Sequence, residues 1–177
     1  MAMTLLATNT ESGDSTSDFT SLIDSTYKLY IFKLIDINLE TAEADLQVQF
    51  NVAAASGFNE EMTTTYFYAI QAEADNDTGF SYVSANDQAS GTAYQTIMDY
   101  MGSGSDESGA GTLWLFDPSN TTYITHFYSV CNSMTTHAYT NNIYVAGYVN
   151  AAGAIDEVSF KPSSGNFDGT IKMYGVG

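Results

Sequence analysis

The sequence predicts an all-β protein, an antiparallel β-sandwich or jelly roll of about nine strands with at most one short helix. Runs rich in Tyr, Phe, Thr, Val and Ile recur along the chain at strand length. Gly, Asn, Asp and Ser clusters punctuate them, with proline only at Pro118 and Pro162. Helical spacing is confined to one short stretch, too little for the crossovers of a parallel sheet. No repeat of about 20–50 residues is visible, which argues against a propeller or solenoid. At 177 residues the chain fits a single domain, 1–177, built on one core.

The elements follow in order. Residues 5–8 predict a first short strand, and the small polar residues after it make 1–18 a flexible lead-in. Residues 27–37 carry apolar side chains on both pleat faces, with Leu29, Ile31 and Ile35 on one and Tyr30, Phe32 and Leu34 on the other, so this strand should be central. Leu46, Val48, Phe50 and Val52 alternate with Gln47, Gln49 and Asn51, the period of a strand with one wet face, expected to pair with its predecessor. Residues 62–72 are β by side-chain type, and 80–83 add a short piece.

Tyr94, Ile97, Met98 and Met101 are spaced by three and four, which permits one short helix. Gly102 to Gly111 reads as an exposed flexible loop by composition. Residues 112–116 and 122–131 flank Asp117-Pro118-Ser119-Asn120, whose proline at the second turn position makes this the clearest hairpin. Strands at 143–149, 155–160 and 170–174 complete the chain.

Charge narrows the partners. With 21 acidic residues, four lysines and no arginine, the formal charge is −17. A field of that sign repels phosphate backbones and anionic lipid, so neither nucleic acid nor a membrane surface is an expected partner. No window approaches the roughly 20 apolar residues of a spanning helix. The first residues lack a basic region and an apolar stretch, so synthesis in a cytoplasm is expected. Excess acid also keeps a protein soluble in salt, where charges are screened beyond about 8 Å. Cys131 is the only cysteine and has no disulfide partner in the chain.

No catalytic constellation emerges. His126, His137 and Cys131 lack the paired spacing of a zinc site. A Gly-x-Ser-x-Gly elbow is absent, and so is a glycine-rich phosphate loop followed by lysine. Glu60-Glu61, Asp106-Glu107 and Asp156-Glu157 are adjacent acids, which strands point to opposite faces, and abundance alone explains them. Asp75-Asn76-Asp77-Thr78-Gly79 resembles the first half of a calcium loop, so Asp75 and Asp77 are weak calcium candidates, but no glutamate closes the loop near Asn86. No cofactor is expected. Tyr66 with Tyr68, and Tyr144 with Tyr148, would each share a strand face, as candidates for subunit packing first and a glycan platform second.

The tail, Phe160-Lys161-Pro162-Ser163-Ser164-Gly165-Asn166-Phe167-Asp168-Gly169-Thr170-Ile171-Lys172-Met173-Tyr174-Gly175, resembles the closing segment of small virion structural proteins of tailed marine bacteriophages of the cyanophage and pelagiphage type. Residues 23–27, 111–119 and 148–155 are similar to theirs as well. The resemblance implies a non-enzymatic virion component on the particle exterior, of the capsid-decoration or head-fibre type. It also implies other virion proteins as partners, with a tail-fibre or receptor-binding lectin-like module as the alternative. A homotrimer fits both placements, because cyclic symmetry covers exposed sheet edges.

Overall fold

The computed structural model describes residues 2–177, and it is all-β. Thirteen strands run in chain order: β1 (Met3–Asp14), β2 (Ser17–Phe19), β3 (Leu29–Leu39), β4 (Ala44–Val52), β5 (Met62–Ala72), β6 (Thr78–Tyr82), β7 (Ala89–Gly91), β8 (Gln95–Met101), β9 (Gly109–Phe116), β10 (Thr125–Met134), β11 (Tyr139–Val149), β12 (Ile155–Pro162) and β13 (Phe167–Val176). Every pairing is antiparallel.

Two sheets stack. The larger has the order β1-β13-β3-β9-β10-β11-β5-β6, with β7 also on β5, and the smaller is β2-β12-β4-β8. The first four strands of the larger sheet and all four of the smaller reproduce the eight-stranded double Greek key of a jelly roll. Two insertions widen one sheet only. The segment between β4 and β8 supplies β5, β6 and β7, the segment between β9 and β12 supplies β10 and β11, and the two meet where β11 pairs with β5.

The core lies between the sheets. Phe32 of β3 meets Phe160 of β12 at 5.6 Å between ring centroids and Phe19 of β2 at 5.3 Å. Phe50 of β4 meets Phe127 of β10 at 5.0 Å. Alternation explains the sorting, since Phe127, Ser129 and Cys131 point inward from β10 while His126, Tyr128 and Asn132 point outward. The thiol of Cys131 is buried, which pushes its pKa up to about 12 and leaves it inert.

Several expectations are corrected. The lead-in is a strand: β1 ladders onto β13 from Met3↔Val176 to Asp14↔Phe167. Backbone groups make that ladder, so small polar side chains did not signal it. Residues 95–101 form β8, not a helix, because Leu46 and Met98 pair across the small sheet and tertiary pairing overrides the local spacing. Among the described residues helix is limited to one 3-10 turn, Ser84–Asn86.

Strand β4 pairs with β12 and β8 rather than with β3, because the jelly-roll order places β3 and β4 in opposite sheets. Its wet face is covered too. Gln49 is buried and its amide donates to the carbonyls of Glu60, Thr92 and Ala93 at 3.2, 3.0 and 3.0 Å. The glycine-rich segment is likewise tied down, with the Asn38 side chain donating to the Gly104 and Glu107 carbonyls before β9 starts at Gly109.

The hairpin at 112–131 forms as expected, with His126 opposite Phe116. So do β3 at the centre of its sheet and the three closing strands. In the tail, Gly165 and Gly169 adopt φ of +73° and +142°. A Cβ on Gly165 would approach Thr41 Oγ1 to 2.4 Å, and one on Gly169 would approach the Asp36 carbonyl to 3.0 Å, so this turn needs glycine at both places.

Candidate functional site

Two features stand out, both where the strands that the insertions add meet the jelly roll. The first is its outer face. Strands β5, β9, β10 and β11 contain no aspartate or glutamate in a chain that has 21. What they present outward is aromatic. Trp114 of β9 and Tyr128 of β10 are cross-strand partners stacked at 4.6 Å, and Phe116 lies 5.4 Å from the same Tyr128 ring. Tyr144 of β11 stacks on Phe67 of β5 at 5.0 Å with the rings 6° from parallel, and Phe80 of β6 joins at 5.6 Å.

A hollow of about 400 Å³ opens beside the first group, lined by Ala146 and Gly147 together with Phe116, His126, Tyr128 and Tyr148. Small residues flanked by rings leave room for one inserted side chain. Two of the four lysines sit at the side of this face. Lys33 and Lys172 are cross-strand partners, and the Lys33 ammonium donates to Thr112 Oγ1 at 2.8 Å while lying 5.9 Å above the Trp114 ring. Phe80 and Tyr82 at the β6 edge are 70% and 58% exposed, an unusual load of bare ring for a chain in water.

The second feature is a pocket of about 420 Å³ at the open end of the sandwich, where the small sheet stops short of β5 and β11. Its floor is Asp99 of β8, 8% exposed, which accepts a hydrogen bond from the Asn141 side-chain amide at 2.6 Å. Burial holds the Asp99 carboxyl above the usual range, against the hydrogen bonds from Tyr66 and Asn141. Asp45 of β4 is raised as well, by burial and then by the negative charge of Asp99, and it accepts the Tyr100 amide at 3.2 Å.

These shifts have a sign. A carboxyl with a raised pKa in the folded state stabilises the fold only while it holds its proton there. Stability from Asp99 and Asp45 is therefore full below the unfolded value near 4 and falls as pH rises through their raised folded values. Asp99→Asn removes one such group and keeps an acceptor for Asn141. The variant should be more stable than the parent at pH 7 in urea unfolding, with the difference shrinking towards pH 4. A difference that stays constant with pH would contradict the assignment.

The tyrosines expected at an interface divide between the faces. Tyr144 and Tyr148 lie on the outer face, as the alternation of β11 requires. Tyr66 and Tyr68 share a face, but it is the inner one: Tyr66 is fully buried in the core, edge-on to Tyr68 at 6.4 Å, so it offers nothing to a glycan or a subunit. Tyr68 lines the pocket.

Asp75 and Asp77 lie in the turn between β5 and β6, where Asp75 accepts from Gln71 at 3.2 Å and Asp77 from the Tyr139 hydroxyl at 3.0 Å. Among the described residues no group of three or more His, Cys, Asp or Glu comes together as a metal would need. His126 is on the outer face beside Tyr148, His137 faces Glu43 at 3.9 Å from a loop, and Cys131 points into the core, so the three are not neighbours. Adjacent acids engage local partners, Glu61 with Asn150 and Glu157 with Asn51.

Sequence reasoning passed over Trp114, Phe116, Tyr128 and Phe67. A readable signal existed, since Trp114 and Phe116 alternate with Leu113 and Leu115. Asp99 had none, being inside the stretch read as a helix.

No family model and no curated protein matches the chain. Among solved structures, the VP2 subviral particle of infectious bursal disease virus aligns at 12% identity over 97% of this chain and 40% of that one, with a TM-score of 0.20. A likeness of that size supports neither a shared topology nor a shared role. Among the described residues no helix is long and apolar enough to cross a membrane.

Proposed function

We propose that this chain is a non-enzymatic structural protein on the exterior of a bacteriophage particle, a capsid-decoration or head-fibre subunit that docks through the outer face of its large sheet. One observation carries the reading: four adjacent strands free of carboxylates present stacked aromatics and a side-chain-sized hollow, in a chain of charge −17. All 21 acidic residues lie outside these four strands, so contact through the acid-bearing surfaces would bring carboxylates together. Aromatic rings around a hollow are the composition of an interface centre.

The jelly-roll order adds a fold-level analogy, because viral capsid and lectin domains use it, and analogy is all it adds. Closed cyclic symmetry would cover the exposed β6 edge, and a homotrimer is the form of it proposed here. The second reading, a tail-fibre or receptor-binding lectin-like module, draws on Tyr148 and His126 beside the hollow. Quantitative mass spectrometry of purified particles separates the two. Copies in proportion to the capsid lattice support decoration, and copies limited to a tail's symmetry support the second reading. Absence of the chain from the particle would overturn both.

A further inference from the structure

We propose that the pocket floored by Asp99 binds a primary alkylammonium group, as carried by a lysine side chain or a free diamine. The site is separate from the docking face and does not depend on it.

The argument starts from an unbalanced charge. Asp99 is 8% exposed, and the ion pairs among the described residues are Lys28 with Asp117 and His137 with Glu43, so no cation reaches it. Its charged neighbour is another carboxylate, Asp45. A buried carboxylate without a cation is costly, and folded proteins pair such groups.

One further polar atom beside it lacks a partner. Asn141 is 4% exposed and lines the pocket, and its carbonyl oxygen receives no donor. The pocket floor therefore presents the Asp99 carboxylate and the Asn141 carbonyl oxygen, acceptors that no cation serves. An ammonium has three donors and no acceptor.

The walls suit the stem of such a ligand. Tyr68, Tyr100, Tyr139 and Ile70 line the pocket, offering rings for cation–π contact near the floor and apolar surface to a methylene chain above it. Tyr100 has a left-handed backbone, φ +49°, that a tyrosine adopts only under constraint, and the Asp45 carboxylate holds its amide there. Asp77 at the rim adds negative potential. An inorganic divalent ion fits less well, since no three acidic or histidine side chains converge among the described residues.

The test is thermal unfolding of the full chain at pH 7.5 with n-butylammonium, putrescine or Nα-acetyllysine amide, against sodium chloride at equal ionic strength and against n-butanol. The amines should raise Tm saturably, by about 3–5 °C at ten times the dissociation constant, while salt and butanol do not. The Asn141 side-chain amide signal should shift along the same isotherm. Asp99→Asn should lose the response while remaining folded, and Tyr100→Ala should weaken it several-fold. A response to acetyllysine amide alone assigns the site to a partner protein's lysine, and a response to putrescine as well assigns it to free amines. No saturable response, an equal response in Asp99→Asn, or a response to butanol or a neutral sugar would overturn the proposal.

Discussion

Phe32→Ala should cost about 3–5 kcal/mol of folding stability, a large share of the roughly 5–15 kcal/mol available to a domain of this kind. Phe32 is fully buried and stands where the two sheets cross, its ring 5.3 Å from Phe19 and 5.6 Å from Phe160, which are themselves 6.3 Å apart. Truncation removes the one ring that the large sheet contributes to this trio. The space it leaves is lined by strands of both sheets, which ladder hydrogen bonds hold in place, so collapse around the void is limited. Phe80→Ala is the control, because its ring is 70% exposed and its loss should change stability by no more than about 0.5 kcal/mol. Urea unfolding of both variants measures this. Equal costs would mean that the sheets are not clamped as described.

Tyr128→Glu should leave folding nearly intact and weaken docking by at least about 100-fold. Tyr128 is 39% exposed, so the isolated chain can solvate a carboxylate there. In a closed interface the same carboxylate would be buried against Trp114 and Phe116 with no cation in contact. It would also place the first acid on four strands that have none. Asp18→Asn, on the outer face of β2 in the small sheet, changes charge by one unit in the opposite sense and should not affect docking. Competitive loading of particles with parent and variant chains gives the ratio directly.

What the sequence made legible follows from which interactions are local. Side-chain type, alternation and turn chemistry are local, so β3, β4, β5 and the hairpin at Asp117–Asn120 were readable, and so was the all-β class. Pairing partners are non-local. Nothing near Leu46 or Gln49 announces that β4 lies in the opposite sheet from β3, or that the Gln49 side chain is covered. Edge strands are harder still. β1 pairs chiefly through its backbone along Asn9 to Asp14, where side chains carry no apolar signal.

The docking face was half legible, for Tyr144 and Tyr148 were found by spacing. Tyr66 was misjudged because alternation says which residues share a face and not which face is inside. The pocket was not legible at all. It exists because two insertions from distant parts of the chain meet where β11 pairs with β5, beyond the edge of the smaller sheet.

The central claim is that the acid-free aromatic face is the surface this protein uses to assemble. Hydroxyl-radical footprinting of the chain, free and in the intact particle, tests it residue by residue. Oxidation of Trp114, Tyr128 and Tyr148 should fall sharply on assembly, while Tyr94, just before β8 and beside Lys161, keeps its reactivity. Unchanged oxidation of the three outer-face rings, or protection of Tyr94 in their place, would contradict the account.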